Sequence, residues 1–514
     1  EAGDRDPVAF LTLLAHSITD RFHELDPELL FRPIERGDTE GGIRVIAELL
    51  GQVGRHIIIL DDYHKANSAG MTLALSRLLD QLPETSQLIV AARGDMALET
   101  RQVIDLLVAG RATGLSEVEL RFTPEELQLL MRKRFGRQLD LKRAEEIARV
   151  TDGNIAQILL AGHIMHAERL IGNLRQQLGD DQATIYNYLA EEVLNKQPAD
   201  MQHFMLCTSV LPDMTPELCN ELLGITDAQQ RIEQLVHDDL FVNQIGASFR
   251  YHDLFAEFLR TRLADDLEQR REISIKAADL LAARGRYEEA INLYLWVQAH
   301  AQACALIEEQ AKHFYDTGRA LTLHDWLARF TNEELDRHPR LWYWRALILN
   351  DDLGAPQQAI TFAQRAEKQF LARGDLSGAA QATVLQAVGL RMMGRVTDSL
   401  SLVNQALERL EPLRTEPRHI AYAIRNRGLA LASSGDLTRA LDDLRQALQM
   451  YQELRDEYRV GMCHHDIGIC LCQLGNITRA ERHFRRAIRI WESLGNANDL
   501  ANTFIGGSGN DVLR

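Results

Sequence analysis

Apolar positions along this chain follow two rhythms. From Pro7 to Phe22 the apolar residues Phe10, Leu13, Leu14 and Ile18 recur at helical spacing, and Ile43–Gln52 and Leu73–Leu82 repeat the pattern. Between these helices lie short runs with no polar face. His56-Ile-Ile-Ile-Leu60 and Leu88-Ile-Val-Ala-Ala92 suit strands buried on both sides, as in a parallel sheet, and Val118–Leu120 reads as a third. Strands separated by helices of this length predict βαβ units, hence an α/β domain over residues 1–120.

Beyond residue 120 the helical rhythm takes over. Thr123-Pro-Glu-Glu126 is a helix start, with Thr at the N-cap, Pro at N1 and Glu at N3, and helical pattern runs on through Ala167. Thr215-Pro216 opens another helix that Gly224 closes. Phe241–Val242 and Phe249–Tyr251 flank a turn at Gly246 and predict a small hairpin between helices, the outline of a winged helix over 181–262. From about residue 275 the chain repeats. A Gly followed five residues later by a small or apolar residue recurs at Gly285/Ala290, Gly318/Leu323, Gly354/Ala359, Gly394/Ser399, Gly435/Ala440 and Gly475/Ala480. Spacings of 33, 36, 40, 41 and 40 residues between these glycines predict stacked helix pairs, a tetratricopeptide-like α-solenoid whose business is binding.

Composition narrows the function. Hydrophobic residues make up 46% of 514 and charged residues 25%, which excludes disordered and fibrous classes. With 74 acidic against 57 basic residues the net charge is −17, a poor match for a polyphosphate backbone. Six cysteines are too sparse for a disulfide framework, and no apolar run approaches the ~18 residues that span a bilayer. The first residues lack the basic and apolar regions of a signal peptide. These features predict a cytoplasmic protein without membrane contact. The missing initial Met and an end inside a repeat predict a fragment of something longer.

Chemistry concentrates at two strand ends. Asp61 and Asp62 close the first strand, where side chains reach the ligand edge of an α/β sheet. This is the shape of a Walker B element, in which Asp61 organises Mg²⁺, directly or through water, and Asp62 polarises the attacking water or completes the metal shell. The alternative is an ordinary strand-to-loop turn. Arg93 ends the second strand, as either a γ-phosphate sensor or a solvated charge. No G-x-x-x-x-G-K-[ST] loop occurs in the sequence, so either this is no nucleotide site or the phosphate cradle lies upstream of Glu1. Ser/His/Asp triads, HExxH and CxxC patterns are absent as well.

Eight stretches together resemble the core of ATP-dependent, LuxR-type (MalT-like) transcription regulators of the STAND class of NTPases. They are Asp4–Pro7 with Phe10, Leu60–His64, Leu88–Arg93, Thr151–Gly153, Tyr188–Val193, Thr208–Leu211, Thr215–Cys219 and Arg250–Arg260. Their order and spacing match over about residues 1–340. The resemblance implies a mainly α chain built as follows: a truncated P-loop-type α/β domain (1–120), a helical lid (121–180), a winged-helix domain (181–262), a helical arm (263–340) and a truncated tetratricopeptide-like sensor (341–514). It also implies ATP/ADP and Mg²⁺ as cofactors, Asp61 and Asp62 as Walker B, Arg93 as sensor and Gly153 in the lid. Asn154-Ile155 departs from the Trp or x-Pro that usually follows that Gly. The implied function is a switch that hydrolyses ATP slowly at most. An inducer, small molecule or protein, binds the repeats; the ATP form self-associates; DNA is bound only by a module outside this chain. Two other readings are a repeat scaffold with a degenerate nucleotide fold, and the same core driving another effector such as a cyclase or kinase.

Weaker patterns have plainer explanations. Cys463-His464-His465 with Cys470 and Cys472 suits helix packing better than a metal, because Cys472 leaves the shared face. Arg479, Arg482, Arg485, Arg486 and Arg489 form a stripe typical of a solvated face, and Arg132–Arg137 is similar. Gly506–Asp511 fits one calcium nonapeptide, which a single copy cannot make into a roll, and is more economically part of the first helix of a cut repeat.

Overall fold

In the computed structural model, residues 6–23, 25–34, 38–66, 68–92, 100–163, 182–410, 412 and 416–494 are described. They form two compact units, one of residues 1–104 with 300–514 and one of residues 105–299. In the first unit, helices α1 (Pro7–Arg21), α2 (Pro27–Ile34), α3 (Thr39–Leu50) and α4 (Ala69–Gln81) accompany strands β1 (His56–Leu60) and β2 (Ser86–Val90). Short polar side chains start the helices: Asp6 accepts from the Val8 amide at 2.8 Å, Asp38 from Gly41 at 2.8 Å and Ser68 from Met71 at 3.2 Å. Leu11, Leu30, Ile34, Ile43, Ile46, Leu50 and Leu75 fill the core.

The strands pair in parallel, in register from His56 opposite Ser86 to Leu60 opposite Val90. The expectation of burial on both faces fails. Ile58 is buried, but Ile57 and Ile59 are 57% and 65% exposed and Ile89 43%. The four helices cover one face only, so an alternating half of an all-apolar strand is left in solvent. The third predicted strand is also corrected. Glu117–Leu120 is a single helical turn, because Ser116 and Glu119 form a capping box around its start.

The second unit is helical apart from one hairpin. After α5 (Thr100–Val108) and the short α6 (Glu117–Leu120) come α7 (Pro124–Phe135), α8 (Leu141–Thr151) and α9 (Ile155–His163). Thr123 caps α7 as its sequence predicts, and Gly136 ends it in the left-handed region. The long helical pattern through Ala167 is therefore broken twice, at 136–140 and 152–154, and residues 164–181 lie outside the described ones. There follow α10 (Gln182–Asn195), α11 (Ala199–Thr208), α12 (Pro216–Leu223) and α13 (Ala228–His237). The predicted hairpin is present, as β3 (Val242–Ile245) against β4 (Ser248–Tyr251), and leads into α14 (Asp253–Leu263), α15 (Leu267–Ala283) and α16 (Tyr287–Trp296). Met214 adds a bridge to Phe249, Tyr251 hydroxyl lies 3.0 Å from Thr208 Oγ1, and Arg260 Nε donates to the Ser209 carbonyl at 2.7 Å. The stretches Thr208–Leu211 and Arg250–Arg260 thus hold one another, which accounts for their joint occurrence.

From His300 the first unit resumes as α17 (His300–Asp316), α18 (Ala320–Leu327) and α19 (Asn332–Asp336). Four helix pairs come next: α20 (Pro339–Asp351) with α21 (Pro356–Ala372), α22 (Leu376–Met392) with α23 (Val396–Leu410), α24 (Pro417–Ser433) with α25 (Leu437–Glu453), and α26 (Glu457–Gln473) with α27 (Ile477–Leu494). All six repeat glycines take positive φ, between 59° and 87°. A left-handed residue lets the chain reverse after each first helix at no steric cost. The small partners Ala359, Ser399, Ala440 and Ala480 are buried where the second helix meets the first. First helices pack on the first helices of neighbouring pairs, α20 on α22, α22 on α24 and α24 on α26.

Candidate nucleotide site and repeat cavity

The two aspartates sit at one end of the parallel pair. Asp61 follows β1 directly and is exposed; its Oδ1 accepts the Asp62 amide at 2.9 Å. Asp62 has a φ of 53°, a left-handed conformation that Asp tolerates better than most residues. Its carboxylate receives Lys65 Nζ at 3.0 Å and lies 3.8 Å from His64 Nδ1. The chain then turns back: Tyr63 donates its amide to the Ala91 carbonyl at 2.9 Å, and Ala91 donates to Leu60 at 2.8 Å. The acidic turn is thereby pinned to the carboxyl end of β2. Tyr63 anchors it from below, with a buried hydroxyl whose ionisation burial pushes up. Arg93 falls outside the described residues, as does Gly506–Asp511.

An exposed carboxylate with one oxygen already oriented, beside a second carboxylate, fits a hydrated divalent cation. Asp62, engaged by Lys65, is less available than Asp61.

Gly153 has a structural duty of its own. Its φ is 70°, and a Cβ there would come 2.9 Å from both the amide nitrogen and the carbonyl oxygen of Phe122. Phe122 donates to the Gly153 carbonyl at 2.9 Å, and Arg121 pairs with Asp152 at 2.7 Å. The turn after α8 therefore requires glycine for close backbone approach, whatever else it contacts.

Sequence reading gave the repeats a binding role without naming residues. The structure places a cavity of about 440 Å³ at the amino-terminal ends of α20, α22 and α24, with Arg340, Tyr343, Trp344, Phe370, Arg418 and Leu454 among its walls. The signal in the sequence was Arg340-Leu-Trp-Tyr-Trp344, whose first, fourth and fifth residues share one helix face. Asp375 and Glu416 also line it, and both hold internal hydrogen bonds. Asp375 caps α22 through the Gly378 amide at 2.8 Å. Glu416 accepts from the Ser377 hydroxyl and meets His419 Nδ1, and the Ser377 bond first, then His419, holds its carboxyl below the usual range. Ser377 lies 3.2 Å from the same Nδ1. Serine and glutamate thus compete for one imidazole nitrogen instead of flanking the ring, so this is not a nucleophile–base–carboxylate relay.

The remaining patterns are structural. Cys463 and Cys470 are buried in helix contacts, His464 Nδ1 lies 3.0 Å from His483 Nδ1, and among the described residues no group of three or more side chains is placed to hold a metal ion. Arg482, Arg485, Arg486 and Arg489 are exposed along α27. Among the described residues no helix is long and apolar enough to cross a membrane.

Comparison with known proteins bears on both units. Residues 190–271 match the MalT winged helix domain and residues 419–493 the tetratricopeptide repeat. Serine/threonine-protein kinase PknK of Mycobacterium tuberculosis is 26% identical over 80% of this chain and 38% of its own length. The HTH-type transcriptional regulator MalT of Vibrio cholerae is 23% identical over 95% of this chain and 54% of its own. The chain thus spans about half or less of the curated relatives it matches. Among solved structures, a STAND protein with a tetratricopeptide repeat sensor from Pyrococcus horikoshii superposes with a TM-score of 0.52 at 15% identity, over 98% of this chain and 78% of that one, and shares its fold.

Proposed function

We propose that this chain, MalT-like in its winged helix and built of tetratricopeptide repeats beyond it, is the core of an ATP-dependent signal-transducing switch that controls transcription. The observation that carries this reading is the acidic turn Asp61–Asp62, pinned across the ends of two parallel strands in a chain that also carries a MalT-type winged helix. In the switch, Asp61 and Asp62 hold the Mg²⁺ of a bound nucleotide, Arg93 senses its γ-phosphate, and Gly153 belongs to the lid. The metal supplies charge neutralisation at the phosphates. Asp61 would hold the ion, directly or through water, and Lys65 fixes Asp62. An inducer on the repeats shifts the balance from an ADP-bound to an ATP-bound, self-associating form, because it binds one form better than the other. Contact with DNA belongs to a module outside these residues, in keeping with the net charge of −17.

The test is nucleotide turnover in the intact protein. Asp61→Ala is expected to lower Mg²⁺-dependent turnover by about tenfold or more, and unchanged turnover would remove the assignment. The similarity to a protein kinase over four fifths of this chain favours a second reading, in which the same switch drives a non-transcriptional effector. Reporter transcription against phosphotransfer by the intact protein separates the two.

A further inference from the structure

We propose that the guanidinium edge of Arg345, at the seam between α18 and α20, binds the carboxylate of a small organic acid, with His324 as a second donor. The inference goes beyond the switch reading and does not depend on it, since neither the acidic turn nor a nucleotide takes part.

Arg345 stands among rings. Its guanidinium carbon lies 4.4 Å from the centre of the Phe362 ring on α21 and 5.7 Å from that of Trp342 on α20, two rings themselves 5.1 Å apart. Their π faces attract the positive charge but give its N–H groups no lone pair. Nε is buried without a hydrogen-bond partner, and the guanidinium forms no ion pair with any described residue. Across the seam, on α18, Nδ1 of half-buried His324 is likewise buried and unbonded. After burial, the charge of Arg345 is what most disfavours protonation of that ring, so the two groups are neighbours. Two buried donors at one seam, neither with an acceptor, are costly for the chain alone.

Charge at the seam leaves one cation over. Asp336 receives Arg365 Nε at 2.9 Å, and Lys368 acts on the same carboxyl. Asp325, exposed on α18, acts on His324. With both carboxylates counted at full charge, three cations, Arg345, Arg365 and Lys368, meet two anions. Burial lowers the Arg345 guanidinium, and among the described residues no carboxylate acts to raise it. Arg425 gives the contrast: burial lowers it too, but Asp466 at 2.7 Å more than restores it. One guanidinium beside a neutral imidazole matches a single negative charge. A planar carboxylate takes two parallel N–H bonds from a guanidinium edge, and the imidazole N–H supplies a third. A phosphate dianion would bring one charge too many.

The experiment follows the His324 ring by NMR during pH titration of the chain in sodium chloride, acetate or phosphate at equal ionic strength, the resonance being assigned by its loss in His324→Leu. In chloride the ring should titrate below the usual histidine value, because burial and then Arg345 oppose its charge. Acetate, up to the hundred-millimolar range, should raise that midpoint by neutralising Arg345, and should raise the thermal midpoint of the chain above its value in chloride. Arg345→Met keeps aliphatic contact with the two rings and removes the charge, so it should abolish both responses to acetate. Arg345→Lys, which keeps a charge in place without the fork, should bind acetate about tenfold more weakly than the parent. No acetate response in the parent, an undiminished response in Arg345→Met or Arg345→Lys, or a stronger response to phosphate than to acetate would each overturn the proposal.

Discussion

Acidification should loosen the last described helix pair through one histidine. His464 on α26 is 4% exposed, and its Nδ1 faces Nδ1 of His483 on α27 at 3.0 Å. A single proton can be shared across that contact, so both rings are stable only while at least one is neutral. Burial first, then the charges of His483 and Arg486, push His464 down to about 4, and burial with Arg486 and Arg445 lowers His483 as well. In the unfolded chain a histidine titrates near 6.5. The folded value lies below the unfolded one, so the unfolded state takes up the proton first. The stability is whole above pH 6.5 and is lost as pH falls towards 4. The gap between those values corresponds to about 3 kcal/mol at its full extent. Amide hydrogen exchange of α26 and α27 between pH 7 and 4.5 measures it without requiring all-or-none unfolding of a repeat array. Asp466, whose carboxyl is held low by Arg425 and His465 despite its burial, loses its contribution only as pH falls through the ordinary carboxylate value of 3.8 and beyond, under the pH 7 to 4.5 span of the measurement. His464→Leu should abolish most of the acid slope while costing little at neutral pH. Equal slopes in the parent and His464→Leu would refute the reasoning.

Further outcomes follow from the same packing. Asp6→Ala removes both the cap of α1 and the buried 3.0 Å bond from Thr322 Oγ1, and should cost about 2–3 kcal/mol, whereas Asp6→Asn, also a good cap, recovers most of it in thermal unfolding. Arg425→Met strands the buried carboxylate of Asp466, its partner at 2.7 Å; the loss should be about 3–5 kcal/mol, and Arg425→Met with Asp466→Leu should regain most of it. Gly468→Ala, normally a helix-favouring change, should destabilise by about 1–3 kcal/mol, because a Cβ there would sit 2.6 Å from the Phe484 ring; a stabilised variant would contradict the packing.

What the sequence disclosed and what it hid divide along physical lines. Local signals were legible: the Thr123 capping box, the αL end at Gly224 and the left-handed repeat glycines each depend on a few adjacent residues. Val118–Leu120 misled because three apolar-rich residues carry no period, while Ser116 and Glu119, the decisive pair, lie around them. The runs of β1 and β2 gave strand identity but not coverage, since an all-apolar strand does not state which faces have neighbours. At the acidic turn, residue types were readable and their unequal availability was not: Lys65 ties up Asp62 and leaves Asp61 open. The repeat cavity was hidden altogether, because its walls come from positions more than 70 residues apart in sequence that only stacking brings together.

That stacking has a mechanical corollary. A solenoid whose units touch only their neighbours behaves as a soft spring, each glycine joint flexing almost independently of the next. The cavity draws its walls from three successive coils, so any occupant acts as a staple across two joints at once. A ligand far smaller than the array would then stiffen the three coils it bridges, turning a chemical event at a few side chains into a local change of elasticity.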